Sequence, residues 1–270
     1  MDMKVFTDSL LREDAVLVTV EQTQGSTPRE TGAWMLVFAQ DAVGTVGGGQ
    51  LEFDAMDRAR AMLRAGPAGD AHRYALGPSL GQCCGGVVHL RFERVSRADA
   101  TELERRLAPP RAPLALFGGG HVGRALVNVL GSLPFDVLWV DSRDEVFPLQ
   151  LPDSVHCEHS DPVQAAVAQL APQSRVIVMS FSHAEDLDII AACLKRQRER
   201  GDLPYIGLIG SKSKWAAFRH RLEARGFSAE ERDGVTCPIG LPGIAGKQPE
   251  VIAVSVAAQV LQDAPPITSS

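Results

Sequence analysis

Apolar and polar positions alternate in two different rhythms along this chain, and the change falls near its middle. In the first part, MKVFTDSLLRED has helical spacing, AVLVTVEQT and AWMLVF read as strands, and GSTPRETG between them is rich in turn residues. A second loop, GTVGGG, leads into QLEFDAMDRARAMLRAG, whose helical period stops at Gly66–Pro67. A short strand is expected around Arg73–Leu76, then the loop LGPSLGQCCGG, then VVHLRFERV, which alternates as a half-buried strand does. This mixture describes a smaller α+β domain over 1–98. The helix-like RADATELERRL and the proline-rich APPRAP follow, and 99–112 is expected to be a linker, because prolines so close together stop helices and central strands.

From Pro113 apolar strands alternate with helices: LALF, HVGRALVNVLGSL, VLWVD, VQAAVAQL, RVIVMSF, DLDIIAACLKRQRER, YIGLIG, KWAAFRHRLEARG and PEVIAVSVAAQVLQ. Such alternation predicts an α/β fold with a mostly parallel sheet covered on both faces, over 113–262. The tail 263–270, DAPPITSS, is expected to be flexible.

Within this second part, FGGGHVGR places Gly118, Gly120 and Gly123 in a GxGxxG pattern directly after a strand and at the opening of a helix, with Gly119 and His121 between them. That context gives a weak pattern its physical content. Gly118 permits the turn, Gly120 lets a phosphate approach the backbone, Gly123 lets helix and strand pack closely, and the helix N-terminus supplies N–H donors. Asp141 ends the next strand, where an acid accepts from ribose hydroxyls, so a nucleotide or NAD(P) is a candidate ligand of this Rossmann-like, doubly wound unit. The alternative is that these glycines serve only a sharp turn.

Charge and composition narrow the function classes. With 45% hydrophobic and 22% charged residues the chain has an ordinary globular composition, and a formal charge of −6 disfavours nucleic acid or an anionic membrane as the main partner. The start, MDMKVFTDSLLRED, is acidic where a signal peptide needs basic residues, and the longest apolar run, Val251–Leu261, is too short to span a bilayer, so a cytoplasmic protein is expected. Five cysteines, an odd number, disfavour a disulfide framework.

The remaining candidates lie on loops. Gly47, Gly48 and Gly49 open a helix and offer amides to an anion, with Glu52 close by, or they mark a plain helix entry. Arg29 in GSTPRETG can pair with a phosphate or carboxylate, although exposed arginines commonly do nothing specific. Cys83 and Cys84 sit between glycines, an odd place for small core residues; as soft thiolates they suit copper, zinc, an iron–sulfur cluster and, by the same softness, molybdenum or a persulfide sulfur, and a buried structural pair is the alternative. A structural zinc site is disfavoured, because no second ligand pair stands at zinc spacing. His183 follows RVIVMSF at the carboxyl edge of the sheet, where α/β proteins place ligands, whereas Asp186 reads as a helix cap. Cys157, Cys193 and Cys237 read as unreactive.

In order and spacing, GSTPRETGAWMLV, GTVGGGQLE, LGQCCGG, LALFGGGHVGRAL, YIGLIGSKSKW and CPIGLPGIAGKQPEVIAVSVAAQVL resemble the xanthine dehydrogenase accessory proteins of the XdhC/CoxI type over nearly the whole chain. The resemblance implies a homodimeric accessory protein that binds molybdenum cofactor (molybdopterin) and protects it while a cysteine desulfurase supplies the terminal sulfido ligand. It further implies delivery to an apo-xanthine dehydrogenase-like molybdenum hydroxylase. Many members carry a cysteine after the GGG of the first domain. This chain has Gln50 there, which shifts a thiol role onto Cys83 and Cys84. Two other readings stand beside it: an NAD(P)-dependent oxidoreductase, resting on the glycine pattern and Asp141, and a protein-binding scaffold that holds no cofactor.

Overall fold

A computed structural model describes residues 9–66, 70–77, 85–108 and 110–262. The chain divides into two compact units at Pro109/Pro110.

The first unit is an antiparallel sheet of β1 (Ala15–Gln24), β2 (Trp34–Val37), β3 (Ala42–Gly44), β4 (Asp70–Ala75) and β5 (Val87–Val95), in the order β3-β2-β1-β5-β4. Helix α1 (Gly49–Ala65) buries Leu51, Ala55, Ala59 and Met62 against Val16, Val18 and Val20 of β1 and Leu90 and Phe92 of β5. Leu17, Leu36 and Phe38 point to the opposite face, where α2 (Ala100–Leu107) covers them with Ala100, Leu103 and Leu107. Burial on both faces explains why the start of β1 is a continuous apolar run, while VVHLRFERV, with its polar residues less buried, alternates. Helix α2 lies within the stretch read as linker. Its entry is fixed by Ser96, whose side chain accepts from Ala98 while the Asp99 carboxylate accepts from the Ser96 amide.

The second unit is a six-stranded, all-parallel sheet: β6 (Ala112–Phe117), β7 (Phe135–Asp141), β8 (Val155–His159), β9 (Arg175–Val178), β10 (Tyr205–Leu208) and β11 (Val235–Thr236). The order β11-β10-β9-β6-β7-β8 is the doubly wound Rossmann order, 3-2-1-4-5-6 counted from the third strand to appear. Leu114 and Leu116 of β6 face α3 (His121–Leu130) and α7 (Pro249–Gln262), while Ala115 and Phe117 face α4 (His183–Arg200). Helices α5 (Lys212–Ala224) and α6 (Ala229–Asp233) complete that second layer.

One expected helix takes another form. Val163–Gln169 is a 3₁₀ segment, and at its end the carbonyls of Val167 and Leu170 accept from the buried Arg196 guanidinium. Asp202 holds the same guanidinium through two bonds, of 2.9 and 2.7 Å.

Candidate functional site

The strand order reverses between the parallel neighbours β6 and β9, so the loops after these two strands border the crevice in which open α/β sheets bind ligands. The turn after β6 is built by close approach. Gly118 has φ +126°, and a Cβ there would stand 2.0 Å from the Met179 carbonyl oxygen, at the end of β9. A Cβ on Gly123 would stand 2.1 Å from the Gly118 oxygen, and one on Gly119 would stand 2.5 Å from the Val146 side chain. Gly120 differs, since a Cβ on it would meet nothing within 4 Å. Packing therefore demands three of these glycines, and the fourth borders open space at the first turn of α3, whose leading amides have no intrahelical acceptor. His121 opens that helix and is exposed.

Asp141 ends β7 as expected, and its carboxylate is bonded within the chain. Its Oδ2 accepts from the Gly119 amide at 2.6 Å and from Arg143 Nη2 at 3.0 Å. Its Oδ1 accepts from the Arg143 amide and Nε, both at 2.9 Å. A carboxylate has about four acceptor sites, and all are used. Burial alone would push the Asp141 carboxyl up; the bonds from Arg143 and Gly119 outweigh it and hold the carboxyl below its ordinary value. Asp141 thus braces the glycine turn through Gly119 and Arg143.

On the other side of β6, the loop after β9 holds Ser180, Phe181 and Ser182. Ser182, not Asp186, caps α4, accepting from the Glu185 amide. Asp186 is buried, accepts from the Ser180 amide and hydroxyl at 2.8 Å each, and pairs with Lys214 Nζ at 2.6 Å. Lys214 also donates to the Ile209 carbonyl at 2.8 Å. His183 is exposed, with its ring edge-on to Phe218 at 6.2 Å between centroids. Cys193 is fully buried, which pushes its thiol up to about 12, partial burial pushes that of Cys237 up, and Cys157 is exposed.

Sequence reasoning missed Ser142, Arg143, Phe181 and Lys214. Ser142 donates to Glu185 at 2.7 Å, and the Arg143 guanidinium lies over the Phe181 ring, 4.5 Å from its centroid. The available signals were slight: a phenylalanine between two serines just past a strand, and the lysine of IGSKSKW.

In the first unit three loops meet. Gly47 presses on Pro28, with a Cβ on Gly47 falling 2.5 Å from the Pro28 ring, and Gly86 presses on the carbonyls of Gln24 and Ser26. The amides of Val46 and Gly47 donate to Glu52 Oε1 at 2.9 and 3.3 Å, as does the Thr45 hydroxyl. Burial pushes the Glu52 carboxyl up, yet the bonds from Thr45, Gly48, Val46 and Gly47 prevail and lower it. The anion served by Gly47 and Gly48 is thus the chain's own Glu52, and Gly49 begins α1. Arg29 is exposed, in the loop where the Thr27 hydroxyl donates to its carbonyl. Cys83 and Cys84 lie outside the described residues. Among the described residues no group of three or more His, Cys, Asp or Glu could hold a metal, and no helix is long and apolar enough to cross a membrane.

Comparison with known proteins matches residues 114–260 to the XdhC Rossmann domain and residues 11–75 to the XdhC and CoxI family. The chain is 27% identical over 269 residues to the uncharacterized protein YqeB of Escherichia coli K12, spanning 96% of this chain but only 46% of YqeB. It is 24% identical to a probable xanthine dehydrogenase subunit of Bacillus subtilis, over 94% of this chain and 95% of that one. A solved xanthine dehydrogenase structure from Bacillus halodurans shares the fold, with a TM-score of 0.78 and 20% identity over 97% of this chain and 96% of that one. With a Rossmann unit of the expected strand order and family matches in both units, this chain belongs to the XdhC and CoxI family.

Proposed function

We propose that this protein is a cytoplasmic, homodimeric maturation factor that binds molybdenum cofactor and protects it during sulfuration by a cysteine desulfurase. It then delivers the cofactor to a xanthine dehydrogenase-like molybdenum hydroxylase. Family membership supports the accessory role. The observation that supports the ligand reading is the open space at Gly120, beside the first amides of α3, which would receive the terminal phosphate of molybdopterin. The soft molybdenum–sulfur end calls for soft donors, and Cys83 and Cys84 are the thiols that the sequence offers between glycines. The oxidoreductase reading loses support, because Asp141 has no acceptor site left for a nicotinamide dinucleotide's ribose.

The test is molybdenum and pterin retained per protomer after gel filtration of the full chain, with activation of the apo-hydroxylase assayed alongside. Gly120→Val places a side chain where the phosphate would lie, and is expected to reduce retention at least tenfold. The Cys83→Ser/Cys84→Ser variant is expected to fold normally yet lose retention and partner activation. Full retention and activation in both variants would overturn the reading.

A further inference from the structure

Strands β7 and β9 lie on either side of β6, so with neighbouring strands about 4.8 Å apart their ends stand roughly 10 Å from each other. Two contacts cross that span above the glycine turn: Arg143 on Phe181, and Ser142 on Glu185. Each abutment is anchored. On the β7 side, the Ser142 carbonyl meets His159 Nε2 at 3.0 Å, the Val146 carbonyl accepts from Arg124 at 2.8 Å, and Asp141 holds Gly119. On the β9 side, Ser180 is tied by its amide and hydroxyl to Asp186, which Lys214 holds in turn. A buried ion pair of this kind returns little net stability, so its use here is to fix the loop that carries Phe181.

A nucleoside joined to a phosphate at Gly120 would have to set its ribose on Asp141 and pass its base between these two loop ends. Both places are taken. Arg143 supplies three of the four donors that fill Asp141, and its guanidinium covers Phe181, which is itself 69% exposed. We propose that Arg143, Phe181, Ser142 and Glu185 form a selectivity bar across the Rossmann crevice. The bar admits the phosphate-monoester end of a ligand and refuses ligands that continue into a nucleoside. Arg143 is the specificity-determining residue. This deepens the reading in which the glycine turn takes the cofactor's phosphate, and it assigns the plain phosphate-monoester form of molybdopterin, not a dinucleotide form, to that turn.

Titration calorimetry of the full chain with ADP-ribose, NAD+ and NADP+ tests it, with molybdopterin retention measured in parallel. The wild type is expected to bind none of the three nucleotides with a Kd below about 1 mM. Arg143→Ala opens the bar and releases the two acceptor positions that its side chain holds on Asp141, and should tighten ADP-ribose at least roughly tenfold. Phe181→Ala/Glu185→Ala removes the opposite half and should give a gain in the same direction without touching Asp141. Adding Asp141→Asn to Arg143→Ala should cancel most of the gain, which separates ribose recognition from general loosening. Wild-type binding of any of these nucleotides within threefold of the opened variants overturns the bar, as does no gain in either variant. Tight wild-type binding of NADP+ alone would make Arg143 a reader of the 2′-phosphate and equally overturn it. If the variants gain ADP-ribose while wild-type protein retains no molybdopterin, the bar stands and the cofactor reading falls.

Discussion

The two glycine turns of this chain, GTVGGG in the first unit and FGGGH in the second, look alike in sequence and differ in what their amides do. In the first, Val46, Gly47 and Gly48 turn their N–H groups onto Glu52 from the first turn of α1, so the site is completed by the chain itself. In the second, the internal carboxylate, Asp141, takes only the Gly119 amide among those of the turn, and Gly120 faces open space at the head of α3. A run of glycines announces that backbone amides converge. Whether a ligand is needed depends on whether an acidic side chain already stands there.

The largest effect that bears on this contrast is expected from an alanine pair in the second turn. Gly118→Ala forces a Cβ to 2.0 Å from the Met179 oxygen at φ +126°, and should destabilise the second unit by about 3–5 kcal/mol. Gly120→Ala, with no neighbour to meet, should change stability by less than about 1 kcal/mol. Urea unfolding of both variants measures the difference, and equal losses would show that Gly120 is as constrained as Gly118.

Next in size is Glu52→Gln, which keeps the shape but weakens charge-assisted bonds to the amides, for an expected loss of about 1–2 kcal/mol at neutral pH. The sign of the pH dependence follows from the lowered carboxyl. Its contribution is full above the ordinary value of 4.5 and is lost as pH falls through the folded value. The wild type should therefore lose more stability than Glu52→Gln between neutral pH and about pH 3. Parallel acid curves for the two proteins would deny Glu52 its part in the turn. The smallest effect belongs to Gly48→Ala. Nothing lies within 4 Å, so only the backbone resists, at φ +79° and ψ 179°, a region open essentially to glycine, at about 1 kcal/mol. A loss as large as that of Gly118→Ala would mean that the first turn, too, is set by contact.

Local pattern carried the order of elements well, because burial on one face or two leaves its period in the residues themselves. LALF, VLWVD and RVIVMSF read as buried strands and are β6, β7 and the strand leading to the Phe181 loop. It was weaker where a segment's bonds are satisfied from far away. Val163–Gln169 has helical composition but bonds to Arg196, and α2 joins the first unit through Leu103 and Leu107 despite the prolines that follow it.

What the sequence determined by itself, then, is the turn chemistry: only glycine tolerates φ +126° against a carbonyl, so FGGGHVGR requires a tight strand-to-helix entry wherever the chain places it. It likewise determined the two-part α/β character, since period and strand composition are local properties. Only the tertiary structure decided that Asp141 braces the turn, that Asp186 lies buried against Lys214, and that Ser142 meets Glu185, 43 residues onward. These are pairings between the ends of different strands. They follow from β6 standing between β7 and β9, and the single chain leaves no periodic trace of which polar group will stand opposite which.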